Sequence, residues 1–439
     1  MKKLWTRLTP FTSDTSGALG TLYDLNALGM VHDPNGCLSH YMAHDEFRRD
    51  AKAPYYVSIA QNQMDMILGN EVPLYRGFRQ LIQASSPSLI AMVGTPVTAL
   101  LSSDLERYAK DMEREFGIPA IAIHTTGEKL YDAGAALAYL GLCRRFVHGR
   151  NELRPKHLNL IGTTSLDLGS RETHAALERE IHGWGWNVQA RLGMGSSLEG
   201  LAGAADAALS LVVSVSGLPA ARYLQEHFGV PYLADLPVGQ CGSARVQDKL
   251  AALASTRETD WQLSGSTEDI TDAAALVAEA ATKPATRTKS PDTDAVHAEA
   301  NGSKASSLRQ HPASSSTLII GEQVSANALR DLVEQQTGEP ADVATFFTFE
   351  ASLSRMGDRA LDGEAALEDL LDERGYKRII GDPLFSRFLV KHEQDKDKLR
   401  QFPVEHIFLP HMAISGQLYA SQLPLLIGAD GEKLLLQTE

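Results

Sequence analysis

The chain has 439 residues, 43% of them hydrophobic, with 41 Lys plus Arg against 55 Asp plus Glu and a formal charge of −14. That balance leaves no broad basic surface and excludes sequence-independent binding of nucleic acid through phosphate neutralisation. A mean hydropathy of −0.18, with no apolar run of about 18 residues, argues against a membrane span.

At about 100–200 residues per domain, this length predicts two to four domains. The N-terminus, MKKLWTRLTPFTSDTSG, turns polar too early for a secretory signal. Cys37, Cys143 and Cys241 are the only cysteines and lie far apart, so neither a disulfide framework nor a CxxC knuckle is present. A reducing cytoplasm is the expected location.

In chain order, SDTSGALG suggests a helix starting on a turn, with Gly17 and Gly20 allowing close backbone approach. ALGMVHDPNGC reads as a short strand entering a tight turn. SLIAMVGTP is a buried strand, SSDLERYAKDMEREFG a helix ending on Gly117, and PAIAIHTTG the next strand. After GRNELRP come the strand LNLIGTTS, the helix THAALEREIHGWG and the strand WNVQARLG. A helix around Leu198–Ala208, the strand LSLVVS, the helix PAARYLQEHFG and VPYLADLP follow. From Ala281 to Ser316 the chain is Pro, Thr, Ser, Ala and charge, which predicts a disordered linker because so little apolar surface cannot offset ordering entropy. STLIIGEQ, the helix NALRDLVEQQTG, ADVATFFTF, the helix EAALEDLLDERG and KRIIGD complete the pattern. Gly-terminated helices alternating with hydrophobic strands predict an α/β fold of three Rossmann-like, doubly wound domains with mostly parallel sheets. The expected boundaries are 1–150, 151–280, a linker at 281–316, and 317–439.

No GxxxxGK[ST] loop occurs, no GxGxxG follows a strand, and HExxH and GxSxG are absent. The chain is therefore expected to bind no nucleotide. Asp33-Pro34-Asn35-Gly36 is strong turn chemistry that would present Cys37 at the end of a strand, a placement suited to ligation or chemistry. Burial as a small hydrophobe is the competing reading of any single cysteine.

Ser13-Asp14…Gly17-Ala18…Leu22 followed by His32-Asp33-Pro34-Asn35-Gly36-Cys37 resembles the N-terminal signature of nitrogenase component 1 and its relatives, among them the dark-operative protochlorophyllide reductase subunits and cofactor-assembly scaffolds. The resemblance continues through VSIAQNQMDMILGNEVPLYRGFRQLI and the strand–helix–strand run ending in IHTTG. The blocks on either side of the linker resemble the family's middle and closing domains. This chain departs from the pattern at Ser13 and Thr95, where many members have cysteines, so that Cys37 alone remains. Ser214 stands where a catalytic nitrogenase subunit offers a cysteine to its molybdenum cofactor. His411, in LPHMAISGQLY, lies near the place of that subunit's cofactor histidine. The resemblance therefore implies no iron–molybdenum cofactor.

It does imply an iron–sulfur cluster. A four-iron cluster takes four ligands, mostly thiolates, so one chain offering Cys37 needs a partner. A second, cysteine-richer component 1 subunit, in a heterodimer or heterotetramer, completes the set more directly than a homodimer, which would need Ser13 or Asp14 from each copy. Electrons would arrive from a separate ATP-hydrolysing iron–sulfur reductase and reach a substrate in a cleft between domains. Thr95 is a further secondary ligand candidate, and His32, His40 and His411 are candidate proton donors or catalytic groups, with His44 close to the same turn. Two alternatives stay open: a scaffold for assembling an iron–sulfur or nitrogenase-type cofactor, and a cluster-free structural subunit.

Cys143 reads as a buried core residue. Cys241, after a Pro-Gly turn, reads as structural, although it could face a cleft. Trp184 and Trp186 read as packing at a helix-to-strand corner. Asp45-Glu46 with Arg48-Arg49-Asp50 reads as a solvated helix face or a partner contact.

Overall fold

The computed structural model describes residues 5–31, 38, 41–48, 55–58, 63–149, 152–264, 315–389 and 404–438. By contacts the chain divides into a large unit, residues 1–258 with 315–439, and a second unit, 259–314. Most of the expected linker at 281–316 lies outside the described residues. Its last two residues are tied to the third sheet. Ser315 donates its hydroxyl to Asp342 Oδ1 at 2.7 Å, and the Ser316 carbonyl accepts from the Lys377 and Arg378 N–H groups.

The large unit contains three sheets whose strand pairs are all parallel. The first has the order β2-β1-β3-β4, with β1 Ala27–Val31, β2 Tyr55–Ser58, β3 Leu89–Val93 and β4 Ala120–Ile123. The second is β6-β5-β7-β8, from β5 Arg154–Thr163, β6 Asn187–Gly193, β7 Ala207–Val212 and β8 Tyr232–Ala234. The third is β11-β10-β9-β12-β13, from β9 Thr317–Ile320, β10 Ala341–Thr345, β11 Arg359–Ala360, β12 Arg378–Gly381 and β13 Glu405–Phe408. Strands β1, β3, β7, β9 and β10 are buried along their whole length, as expected where helices cover both faces of a parallel sheet. The α/β expectation holds.

Helix ends follow the glycines. Helices Leu105–Phe116, Leu218–Phe228, Gln323–Thr337 and Glu364–Arg374 stop at Gly117, Gly229, Gly338 and Gly375, each left-handed, a conformation glycine adopts without Cβ strain. The expected helix at Leu198–Ala208 is shorter. It runs Leu198–Ala202 and gives way through a 3₁₀ turn, Ala204–Asp206, to β7. The alanines have high helix propensity, but a strand slot between β5 and β8 buries Ala207 and Ala208 completely, and tertiary burial outweighs propensity.

Helix Tyr131–Phe146 lies against both helix Asp14–Leu22 and helix Leu218–Phe228. One hydrophobic cluster runs continuously from Ala18, Leu22 and Val93 through Ala138 and Leu142 to Ile161, Val212 and Leu224. Two glycines permit the closest crossing. A Cβ on Gly17 would sit 1.9 Å from the Tyr131 carbonyl oxygen, and one on Gly134 1.7 Å from that of Asp14. Gly20, by contrast, has room, its nearest neighbours being 3.9 Å away.

Candidate functional site

In parallel sheets, ligands gather beyond the carboxyl ends of the strands, at the point where strand order reverses. Here those points lie between β1 and β3, between β5 and β7, and between β9 and β12. The residues following these strands carry most of the candidate chemistry: Cys37 after β1, Thr95 after β3, Asp167 after β5, Ser214 after β7, Glu322 after β9 and Asp382 after β12. His411 follows the neighbouring β13.

At the first sheet, Cys37, His32 and His40 lie outside the described residues. The residues around them are described. Ser13 begins helix Asp14–Leu22 without making a side-chain cap, and its buried Oγ has no partner among the described residues. Asp14 accepts from the Thr126 N–H at 2.9 Å and the Gly127 N–H at 2.7 Å; burial pushes its carboxyl above the ordinary range against these donors. Thr95 closes a capping box with Thr98, its Oγ1 accepting from the Thr98 N–H at 3.3 Å. The Gly94 carbonyl accepts from the Thr125 hydroxyl at 2.6 Å and the Thr15 hydroxyl at 3.3 Å. Asp14 and Thr95 thus serve the local backbone, whereas the Ser13 hydroxyl has no partner among the described residues.

Of the charged run at Asp45–Asp50, Arg49 and Asp50 lie outside the described residues, and Glu46 and Arg48 do not form the expected solvated face. Glu46 and Arg48 are only 6% and 4% exposed. Arg48 donates from Nε and Nη2 to the two Glu46 carboxylate oxygens, both at 2.7 Å, and from Nη2 to the Gly20 carbonyl at 2.6 Å. Its guanidinium stacks 4.2 Å from the Tyr23 ring centroid, and Glu46 Oε1 accepts from the Ser165 hydroxyl at 3.1 Å. Asp24, 3.6 Å from Arg48, accepts from Arg171 at 2.9 Å and the Gly195 N–H at 2.7 Å. Burial works against the Asp24 charge, but Arg171 and the N–H donor hold its carboxyl below the usual range. This network bonds the segment 41–48 to the first helix and to the loops of the second sheet. Exposed His44 belongs to the same segment.

Beyond the second and third sheets lies a small cavity of about 70 Å³, partly open to solvent. Asp167, Glu322 and His411 line it, beside Leu168, Met412, Leu423 and Ile427. Asp167 accepts from the Tyr131 hydroxyl at 2.8 Å and from the Thr164 hydroxyl and N–H. Burial pushes its carboxyl up to about 6 against the hydroxyls of Thr164, Ser214 and Tyr131. Glu322, 2% exposed, caps helix Gln323–Thr337 by accepting from the Val324 and Ser325 N–H groups, and bridges to the second sheet by accepting from the Val215 N–H at 2.8 Å. Burial raises it to about 7 despite those donors, and the nearby Asp167 adds to the rise. Ser214 accepts from the Ser216 N–H at 3.3 Å and its hydroxyl pairs with that of Ser216 at 2.9 Å. His411 caps the short helix Met412–Ser415, and burial pushes its imidazole down to about 4. Among the described residues no group of three or more His, Cys, Asp and Glu is placed to hold a metal ion.

The sequence reading missed Asp167, Glu322 and the paired Tyr131. The signal was available. SLDLG, IGEQ and IGDP each follow a hydrophobic strand, and a carboxylate there sits where helix N-termini converge. Cys143 is fully buried, with its thiol pushed up to about 12 by burial, as a core residue. Cys241 is exposed and its Sγ accepts from Gln335 Nε2 at 2.8 Å. Trp186 is buried, and Trp184 Nε1 donates to the Ser243 hydroxyl at 3.1 Å, at the corner anticipated.

Comparison with known proteins agrees with this layout. The sequence model of the nitrogenase component 1 type oxidoreductase family matches residues 19–290. The nitrogenase molybdenum-iron protein alpha chain of Methanosarcina barkeri is 24% identical over 253 residues, covering 55% of this chain and 46% of that one. A light-independent protochlorophyllide reductase subunit from Chloroflexus aurantiacus is 27% identical over 183 residues (42% and 34%). The nitrogenase iron-molybdenum cofactor biosynthesis protein NifE of Sinorhizobium fredii is 26% identical over 223 residues (49% and 43%). The matches thus span less than half the length of these relatives. A solved structure titled nitrogenase Cp1 at pH 6.5 superimposes with a TM-score of 0.62 at 15% identity, over 100% of this chain and 93% of that one, and shares the fold. No described helix is long and apolar enough to cross a membrane. With a family match covering more than half of its residues, this chain belongs to the nitrogenase component 1 type oxidoreductase family.

Proposed function

We propose that the chain is a subunit of a nitrogenase-like component 1 reductase. In this reading an ATP-dependent iron–sulfur reductase supplies electrons, an iron–sulfur cluster at a subunit interface relays them, and a reducible substrate receives them. The observation that carries the reading is the place of Cys37 in the sequence, inside the family match and in the run that follows Val31, the last residue of the strand at which the first sheet reverses its order. Cys37 would be this chain's thiolate ligand, and the Ser13 hydroxyl, which has no partner among the described residues, would be a secondary one. A bound four-iron cluster would supply one-electron transfer. The remaining ligands would come from a cysteine-richer partner subunit. On this chain, Asp167 and Glu322 hold protons close to neutral pH, a property suited to a reduction that consumes them.

Co-expression with a cysteine-richer paralogue tests the reading. Iron, sulfide and visible absorption should accompany the complex and fall to background in its Cys37→Ala form. A full four-iron cluster in this chain alone, or unchanged iron after the substitution, would overturn it. Similarity to the NifE chain favours a second reading, an assembly scaffold that passes a cluster precursor on. Repeated turnover of a substrate with reductase, ATP and reductant would exclude the scaffold.

A further inference from the structure

The segment before the first helix ties the third sheet to the first. Residues 5–12 form no helix or strand, so their hold on the molecule comes from the groups they dock on. At one end the Glu364 carboxylate, in the first turn of helix Glu364–Arg374, accepts from the Thr6, Arg7 and Leu8 N–H groups at 2.9, 2.8 and 2.6 Å and from the Thr6 hydroxyl at 3.1 Å. Burial works against its charge, but the Leu8, Thr6 and Arg7 N–H donors hold the carboxyl below the usual range. Arg7 also pairs with Glu368 at 2.9 Å, and its carbonyl accepts from Arg387. Trp5 and Phe11 meet edge-on, 4.8 Å between ring centroids, and both lie against Phe346, just after β10. A segment without secondary structure of its own, gathered on one carboxylate, is built to open locally before the sheets do.

At its other end this segment reaches the central cavity. The Thr12 N–H donates to the Ala413 carbonyl at 2.9 Å, and the Thr12 carbonyl accepts from the Tyr131 N–H at 3.0 Å. Ala413 belongs to the short helix Met412–Ser415, whose first residue lines the cavity, and the Tyr131 hydroxyl donates to Asp167, which also lines it. The backbone of Thr12 thus joins two parts of the cavity wall. At about 70 Å³ the cavity has room for about two waters of about 30 Å³ each, well under the roughly 150 Å³ that accepts a benzene ring. We propose that residues 5–12 are a releasable strap: docked on Glu364, it keeps helix Met412–Ser415 against Tyr131 and the cavity small, and undocked, it frees that wall to move and admit an organic molecule of benzene size or larger. The proposal rests on the reductase reading only in treating the cavity as the place a substrate would enter; the motion itself requires neither iron nor a reductase.

Native methionines of the full-length chain report the motion. Met412 lines the cavity and is 3% exposed, Met356 is 82% exposed, and Met112 is fully buried in the core of the first sheet. Dilute hydrogen peroxide converts an accessible thioether to its sulfoxide, and mass spectrometry times each site. In Glu364→Ala, Met412 should oxidise about tenfold faster than in the native chain, the worth of one charge-assisted hydrogen bond to the strap, with Met356 and Met112 unchanged. Glu368→Ala, which removes a partly exposed ion pair, should change the Met412 rate by less than about threefold. Should Glu364→Ala fold poorly, native-state hydrogen exchange of the unaltered chain gives an independent reading: the Thr6, Arg7, Leu8 and Thr12 amides should open together, and well before Leu318 and Ile319 in the central strand β9. An unchanged Met412 rate in Glu364→Ala, a Met112 rate raised by the same factor, or strap amides that open only with β9 would overturn the proposal. Absence of iron from the partner complex would defeat the reductase reading while leaving these rates intact.

Discussion

The carboxyl end of the first sheet and the cavity beyond the second and third sheets both lie at strand-order reversals, yet they are built from opposite materials. Around the first, Thr95, Thr98, Thr125 and Asp14 are spent on backbone groups, and the buried charges of Glu46 and Arg48 neutralise each other. Around the second, Asp167 and Glu322 are buried with no cation beside them among the described residues, and burial pushes both toward neutral pH. The contrast separates a frame that fixes geometry from a wall that can exchange protons.

Breaking the frame should cost most. Arg48→Ala strands Glu46 as an unpaired buried charge, and chemical denaturation should show a loss of about 3–5 kcal/mol; a loss below about 1 kcal/mol would place the pair in the class of exposed ion pairs.

The wall is tested through pH. Both carboxyls are raised on folding, Glu322 from an ordinary 4.5 to about 7 and Asp167 from 3.8 to about 6. The folded chain therefore binds more protons than the unfolded chain between about pH 4 and 7. Their contribution is fully present below the unfolded values and is lost as pH rises through the folded ones, at up to about 1.4 kcal/mol per pH unit for each proton taken up. Glu322→Gln should flatten the upper part of that dependence, between about pH 5 and 7, in denaturation curves compared across pH. An unchanged slope would mean that Glu322 is ionised throughout. The smallest effect is expected from Thr95→Ala, which removes one cap and should cost about 1 kcal/mol with no pH dependence over the same range.

Much of the architecture was legible because it depends on local chemistry. Gly117, Gly229, Gly338 and Gly375 end helices through their own backbone freedom, and apolar runs such as LIAMV and TLII need only a sheet covered on both faces. The Ala-rich run before β7 was misread because the strand slot that captures it is formed by residues distant in sequence. The site was less legible for the same reason. Cys37 and the turn expected before it lie outside the described residues, and the proton-binding character of Asp167 and Glu322 arises from burial between β5, β7 and β9, which no local pattern records. Glu46 and Arg48 look like surface charges in sequence and become a buried pair only when helix Asp14–Leu22 and Ser165 close around them.

The reciprocal crossing of Gly17 and Gly134 has a consequence for how this chain can vary. Each glycine lies under the carbonyl of a residue next to the other helix's start, so a methyl group at either would push the two helices apart as a pair. The first groups displaced would be Asp14 and Tyr131, at the heads of the two helices. Two hydrogen atoms in place of side chains thereby set how closely the two helix starts approach, and sequence change at either position would register there before the rest of the core gave way.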